Sequence, residues 1–147
     1  MAVKPRKTRR SMVSMLAKPQ APARKRGVPP ARKIVSLQQA AARRKLVAIV
    51  DALGHNVAAG LLQVDRSQLS RVIKGTENAS ADLQRRAVET DYVLSRLLQV
   101  MYPDEIAEWL TSPEPLLGDA IPANVLRLHG PDRVVRAING IAAGVYS

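Results

Sequence analysis

The sequence predicts an all-α fold preceded by a disordered basic N-terminal tail. Three observations carry this. The apolar residues of the ordered part recur at i, i+3, i+4 and i+7, the spacing of one helical face. No segment alternates apolar and polar residues as a half-buried strand would. Glycine and proline fall between the periodic stretches, where helices stop and start.

The tail is read from composition. The first 45 residues hold 14 of the 23 basic residues and none of the 12 acidic ones, so the net charge of +11 belongs to this end. Five of the ten prolines lie between Met1 and Lys33, amid Ala and Ser, with no lasting apolar period. Such a segment cannot bury enough apolar surface to order itself. Residues 1–35 are therefore expected to be disordered, as a solvated tail, as an arm that binds phosphates without sequence preference, or as an Arg-rich transit peptide. No apolar core suited to a secretory signal is present.

The ordered part is expected to begin at Ser36, whose hydroxyl with Gln39 fits a capping box. Leu46, Ile49, Val50 and Leu53 line one face of this first helix, and Gly54 suits its stop. A short helix from Val57 to Leu62 follows, then one from Asp65 to Lys74 stopped by Gly75. Ser80 caps a long helix with the stripe Leu83, Ala87, Leu94, Leu97, Leu98 and Met101. Pro103 opens a helix carrying Ile106, Trp109 and Leu110. Pro113, Pro115 and Gly118 break the pattern. Pro122 opens a short helix to Leu128, closed by Gly130. Asp132 starts the last, with Val134, Ile138, Ile141 and Val145 on one side.

The segment from Val57 to Lys74 reads as a helix-turn-helix. That motif needs a small residue where its second helix packs, an apolar plug in the turn, a cap, and two inward apolar positions. Ala59 is the small residue and Val64 the plug. Asp65 is the N-cap with Gln68 as its partner, and Leu69 and Val72 face inward. Gln63 stands just before the plug, where glycine is usual because the backbone there takes a positive φ. The positions left outward are Arg66, Ser67, Gln68, Ser70, Arg71 and Lys74. These side-chain types suit base edges and phosphates, so they are the candidate DNA-binding residues. Arg66 and Arg71 are the leading base readers; Arg85 and Arg86 either reach flanking phosphates or are simply exposed with no DNA contact.

Several function classes are excluded. The chain has no cysteine, and its two histidines, His55 and His129, sit in no metal-ligand spacing. No nucleophile–base pair, paired carboxylate site or phosphate loop appears, so no enzyme, metal or cofactor is expected. Asp104, Glu105 and Glu108 read as charges at a helix N-terminus. No apolar run approaches the ~18 residues of a membrane span, and a cytoplasmic protein is expected. Apolar residues make up 46% of the chain but aromatics only 3%, so the core must be aliphatic, with Trp109 as a core anchor.

The second half carries an ordered pattern: Glu108-Trp109-Leu110-Thr111-Ser112-Pro113, Leu116-Leu117-Gly118, Ile121-Pro122, His129-Gly130, Val134-Val135 and Ile141-Ala142-Ala143-Gly144. It resembles the Xre/MbcA/ParS-like antitoxins that neutralise RES-domain toxins, over roughly residues 46–147. Where those proteins have a Pro-Asn turn this chain has Pro113-Glu114-Pro115, one residue longer, and the basic tail lies outside their pattern. The resemblance implies a helix-turn-helix region over 36–80 that represses its own operon. It implies a helical toxin-binding domain over 81–147 that blocks a NAD-degrading toxin. It also implies that the C-terminal helix and tail reach the toxin's NAD cleft, with Ile141, Val145, Tyr146 and Ser147 as the toxin-binding residues. The expected partners are a cognate RES-domain toxin, operator DNA and a second copy of the chain, with no membrane. Two alternatives compete: a stand-alone helix-turn-helix regulator, and a nucleoid-type protein whose tail supplies most of the DNA affinity.

Overall fold

The computed structural model describes Val3 and residues 27–144; the greater part of the basic tail, and Val145, Tyr146 and Ser147, lie outside the described residues. From Ala31 onward the chain forms one compact unit. Its helices are α1 (Ala31–Leu62), α2 (Arg66–Lys74), α3 (Ala81–Leu97), α4 (Pro103–Thr111), α5 (Pro122–His129) and α6 (Pro131–Ala142), with a 3-10 turn at Pro115–Leu117. Among the described residues there is no strand, only an isolated antiparallel bridge between Glu114 and Ala120.

The first helix departs from expectation at its start. It begins at Ala31 rather than Ser36, so residues 31–35 of the expected tail are helical. The Ser36 hydroxyl donates to the Lys33 carbonyl, as a mid-helix serine does, and Gln39 is turned to a partner far along the chain. Gly54 interrupts α1 with φ 78° and ψ 162°, outside the helical region. That conformation suits glycine alone and bends α1 into two arms. The expected stop at Gly54 and the short helix after it are both present, as two helical arms that meet at the non-helical Gly54. By length and composition α1 is apolar enough to cross a membrane, but Leu46, Ile49, Leu53, Ala58 and Leu62 on it are buried in the core.

The core is aliphatic, as the composition requires. Leu46, Ile49, Leu62, Leu69, Leu83, Leu97, Ile106, Leu110, Val134 and Ile138 are among its fully buried side chains. Helix α3 lies along α1 and also meets α6, so the helix-turn-helix and the C-terminal helices share this core. The α3 stripe is buried at Leu83, Ala87, Leu94 and Leu97, but Leu98 is exposed. Leu98 is the C-cap of α3, with helical backbone angles and its N–H donating to the Leu94 carbonyl at 3.0 Å, and its side chain is left to solvent at the helix end. Ser80 caps α3, its hydroxyl accepting from the Leu83 N–H at 3.1 Å. Helix α6 begins at Pro131, not Asp132, which sits instead in the first turn.

Candidate nucleic-acid interface and C-terminal surface

The turn of the helix-turn-helix is built on Gln63. Its φ is 54°, in the left-handed region that the sequence marks as a glycine position. The Val64 N–H donates to the Ala59 carbonyl at 3.1 Å, and the Gln63 N–H to that of Gly60 at 3.3 Å. These two bonds close the end of α1 as a Schellman motif with Gln63 as its left-handed residue. The motif reverses the chain and drops half-buried Val64 against the core, while buried Ala59 leaves room for α2. Asp65 holds the extended backbone of an N-cap but makes no side-chain cap bond, so the expected Asp65–Gln68 box does not form. Leu69 and Val72 are buried as expected.

The opposite face of α2 presents the candidate DNA-binding residues. Arg66, Ser67, Arg71 and Lys74 are exposed, and Gln68 and Ser70 half-buried. Two of them are gripped by one carboxylate that sequence reasoning missed. The Arg71 Nε donates to Glu77 Oε2 at 2.8 Å, and the Gln68 Nε2 donates to Glu77 Oε1 at 3.2 Å. The hydrogen bond from Arg71 holds the Glu77 carboxyl below its ordinary range. The carboxylate therefore stays ionised at neutral pH and lets go only as pH falls through that depressed value.

Glu77 sits in the loop from Gly75 to Ser80, and this loop is fixed on both sides. Gly75 ends α2 at φ 85°, and a side chain there would also meet the Arg43 guanidinium, 3.1 Å from its Cβ. Beyond Glu77, Gln39 reaches from α1 to clamp Ala79. Its Nε2 donates to the Ala79 carbonyl at 3.0 Å, and its Oε1 accepts from the Ala79 N–H at 2.8 Å. Helix α2 is thus tied to α1 through its own exit loop. Arg86 donates to the Leu62 carbonyl at 3.2 Å and Arg85 to Glu89 at 3.1 Å. In the structure Arg86 caps the end of α1, while the Arg85 side chain, 58% exposed, pairs within its own helix with Asp82 and Glu89.

The C-terminal surface rests on a second overlooked carboxylate. Glu114 is 5% exposed. Its Oε2 accepts from the Trp109 indole N–H at 2.7 Å and its Oε1 from the Leu116 N–H at 3.1 Å. Its backbone carbonyl accepts from Leu117 and Asp119, and its N–H donates to Ala120. The Pro113-Glu114-Pro115 segment is therefore a loop organised around a buried acid. Trp109 is half-buried against the core with its polar edge paired, as an amphipathic ring requires.

This loop rims a cleft of about 530 Å³ between Leu116, Leu117, Gly118 and the α6 residues Arg133, Arg136, Ala137 and Gly140. Val134 and Ile138 on the other side of α6 are buried, and Arg96 of α3 donates to Asn139 at 2.7 Å, holding α6 in place. Of the candidate toxin-binding residues, Ile141 is half-buried near the end of α6.

No family model matches the chain, and no curated protein does. Among solved structures, a chain from the crystal structure of the M. tuberculosis MbcT-MbcA toxin-antitoxin complex shares its fold. The TM-score is 0.62 at 23% identity, covering 71% of this chain and 96% of that one. The likeness is one of fold, and it accords with the MbcA-like pattern in the sequence.

Proposed function

We propose that this chain is the antitoxin of a two-gene toxin-antitoxin system, a non-enzymatic cytoplasmic protein with two working surfaces. The observation that carries the reading is the coincidence of two independent likenesses. The ordered motifs from Trp109 to Gly144 resemble the Xre/MbcA/ParS-like antitoxins, and 71% of the chain matches the fold of a chain from a toxin-antitoxin complex.

The first surface is the exposed face of α2, which enters the major groove of operator DNA and represses the chain's own operon. Arg66, Ser67, Gln68, Ser70, Arg71 and Lys74 supply the contacts, with two copies reading two half-sites. The second surface is the end of α6 with the cleft beside it, which binds and blocks a RES-domain, NAD-degrading toxin. Ile141, Val145, Tyr146 and Ser147 are the contacts there. The cleft fits this role because an apolar floor flanked by two arginines is the chemistry of a protein-binding groove with a charged rim. The toxin-binding region over 81–147 and the DNA-binding region over 36–80 are working regions of one folded unit, and the basic tail of residues 1–30 adds non-specific DNA affinity.

The test is co-expression of the full chain with the product of the adjacent gene, followed by affinity purification through a tag on either one. Recovery of a stoichiometric complex supports the reading. Two separately soluble proteins that never co-purify would favour a stand-alone regulator.

A further inference from the structure

We infer that Glu77 is a specificity-determining positioning residue, which holds Arg71 in the pose that reads a guanine. The inference rests on the DNA-binding reading above and adds to it a residue that makes no DNA contact itself.

The geometry is specific. Glu77 engages Arg71 through Nε alone, at 2.8 Å, and among the described residues Nη1 and Nη2 have no hydrogen-bond partner. The Arg71 side chain is 54% exposed. A guanidinium held by its Nε edge presents its two terminal nitrogens end-on, which is the fork that matches O6 and N7 of guanine. The same fork can also pair bidentately with a phosphate, and only the base contact carries a sequence preference. The carboxylate is itself fixed: Gln68 occupies its other oxygen, and Ala79, two residues on, is clamped to α1 by Gln39. The chain of support therefore runs from the core helix to the loop, from the loop to Glu77, and from Glu77 to Arg71.

This arrangement has an electrostatic cost that a structural ornament would not justify. Glu77 places a negative charge on the face that must approach phosphates, where it lowers affinity for every sequence alike. What it returns is order. An arginine that is free in solution must lose its rotamer freedom on binding, a penalty of roughly three- to tenfold in affinity. Glu77 removes that penalty only for the end-on pose, so its benefit appears at the right base and nowhere else.

The experiment uses the full chain and a pool of randomised DNA duplexes. Wild type, Glu77→Ala, Glu77→Gln and Arg71→Ala are each put through selection. Each is then titrated against the wild-type site and a scrambled duplex at several salt concentrations. Wild type is expected to enrich a site containing a guanine whose preference Arg71→Ala loses. Glu77→Ala is expected to bind the scrambled duplex at least as tightly as wild type, while its preference for the selected site falls roughly three- to tenfold. Glu77→Gln keeps one acceptor oxygen and should fall between; it also carries the comparison if Glu77→Ala melts early. Equal tightening on both duplexes, with the preference intact, would overturn the inference and leave Glu77 as a repelling charge. Failure of wild type to enrich any site would instead bring down the DNA-binding reading itself, and this inference with it.

Discussion

Replacing Glu114 by alanine should loosen the C-terminal surface while leaving α2 intact. The wild-type carboxylate accepts from the Trp109 indole at 2.7 Å and from the Leu116 N–H at 3.1 Å, at a site only 5% exposed. A hydrogen bond to a charged group contributes about 1.5–3 kcal/mol, and an orphaned buried donor costs about 1–3 kcal/mol. Against this stands the cost of burying the carboxylate, several kcal/mol, which alanine relieves. Trp109 is half-buried, so water can reach its N–H once Glu114 is gone. The net loss should therefore be about 2 kcal/mol, near 6–10 °C in Tm for a folded unit of this size. Urea unfolding measures the loss. Trp109 is the single tryptophan of the chain, so its fluorescence reports the same site directly. Glu114→Gln keeps one acceptor oxygen and should lose about half as much. Because Leu116, Leu117 and Gly118 rim the cleft, Glu114→Ala should also weaken toxin binding but not DNA binding. Stability within 0.5 kcal/mol of wild type, with unchanged Trp109 emission, would refute the claim that Glu114 organises this loop.

Three further outcomes follow from the same geometry. Leu69 has no exposed surface, so Leu69→Asp should cost about 3–5 kcal/mol and abolish DNA binding; loss of binding at an unchanged Tm would contradict the packing of α2. Gln63→Gly should stabilise the fold by about 0.5 kcal/mol, since a left-handed backbone costs a side-chain-bearing residue ~1–2 kcal/mol and glycine's extra chain entropy offsets part of that; a lowered Tm would rule this out. Deleting residues 1–30 removes nine basic residues and should flatten the salt dependence of DNA binding while keeping sequence preference; an unchanged slope would show that the tail does not touch DNA.

What the sequence made legible was whatever repeats or punctuates. Leu69 and Val72 could be placed inward from spacing alone, and Gln63 could be marked as a left-handed position because the motif demands one there. Gly54, Gly75, Ser80, Pro103 and Pro122 were legible because each has a local mechanism for starting or stopping a helix. What stayed hidden was every bond made across the fold. Gln39 looks like a local cap partner for Ser36, yet its amide has a better offer from the Ala79 backbone, 40 positions away. Gln68 likewise turns from Asp65 to Glu77, and Arg86 from solvent to the Leu62 carbonyl. Glu77 and Glu114 lie in irregular loops, where no period gives an acid a direction. The one hint at Glu114 was its place between two prolines, which a solvated surface acid would not require. Leu98 was misplaced although its backbone keeps helical angles, because a period gives a residue its face and not whether that end of the helix is covered.

The central claim is that one folded unit carries a DNA-reading face and a separate toxin-blocking end, and the most direct measurement takes both at once. Cells expressing the product of the adjacent gene, which the proposal takes to be a RES-domain toxin, are followed for growth and intracellular NAD, with the full chain or a chain lacking Val145, Tyr146 and Ser147 supplied in trans. Operator binding by each form is measured in parallel. The full chain should restore growth and NAD. The truncated chain should lose much of that protection, by about 2 kcal/mol or more if Tyr146 is a buried anchor, and should bind operator as before. Loss of protection together with loss of DNA binding would contradict the separation of the two surfaces. No protection by the full chain, at undiminished operator binding, would contradict the antitoxin reading outright.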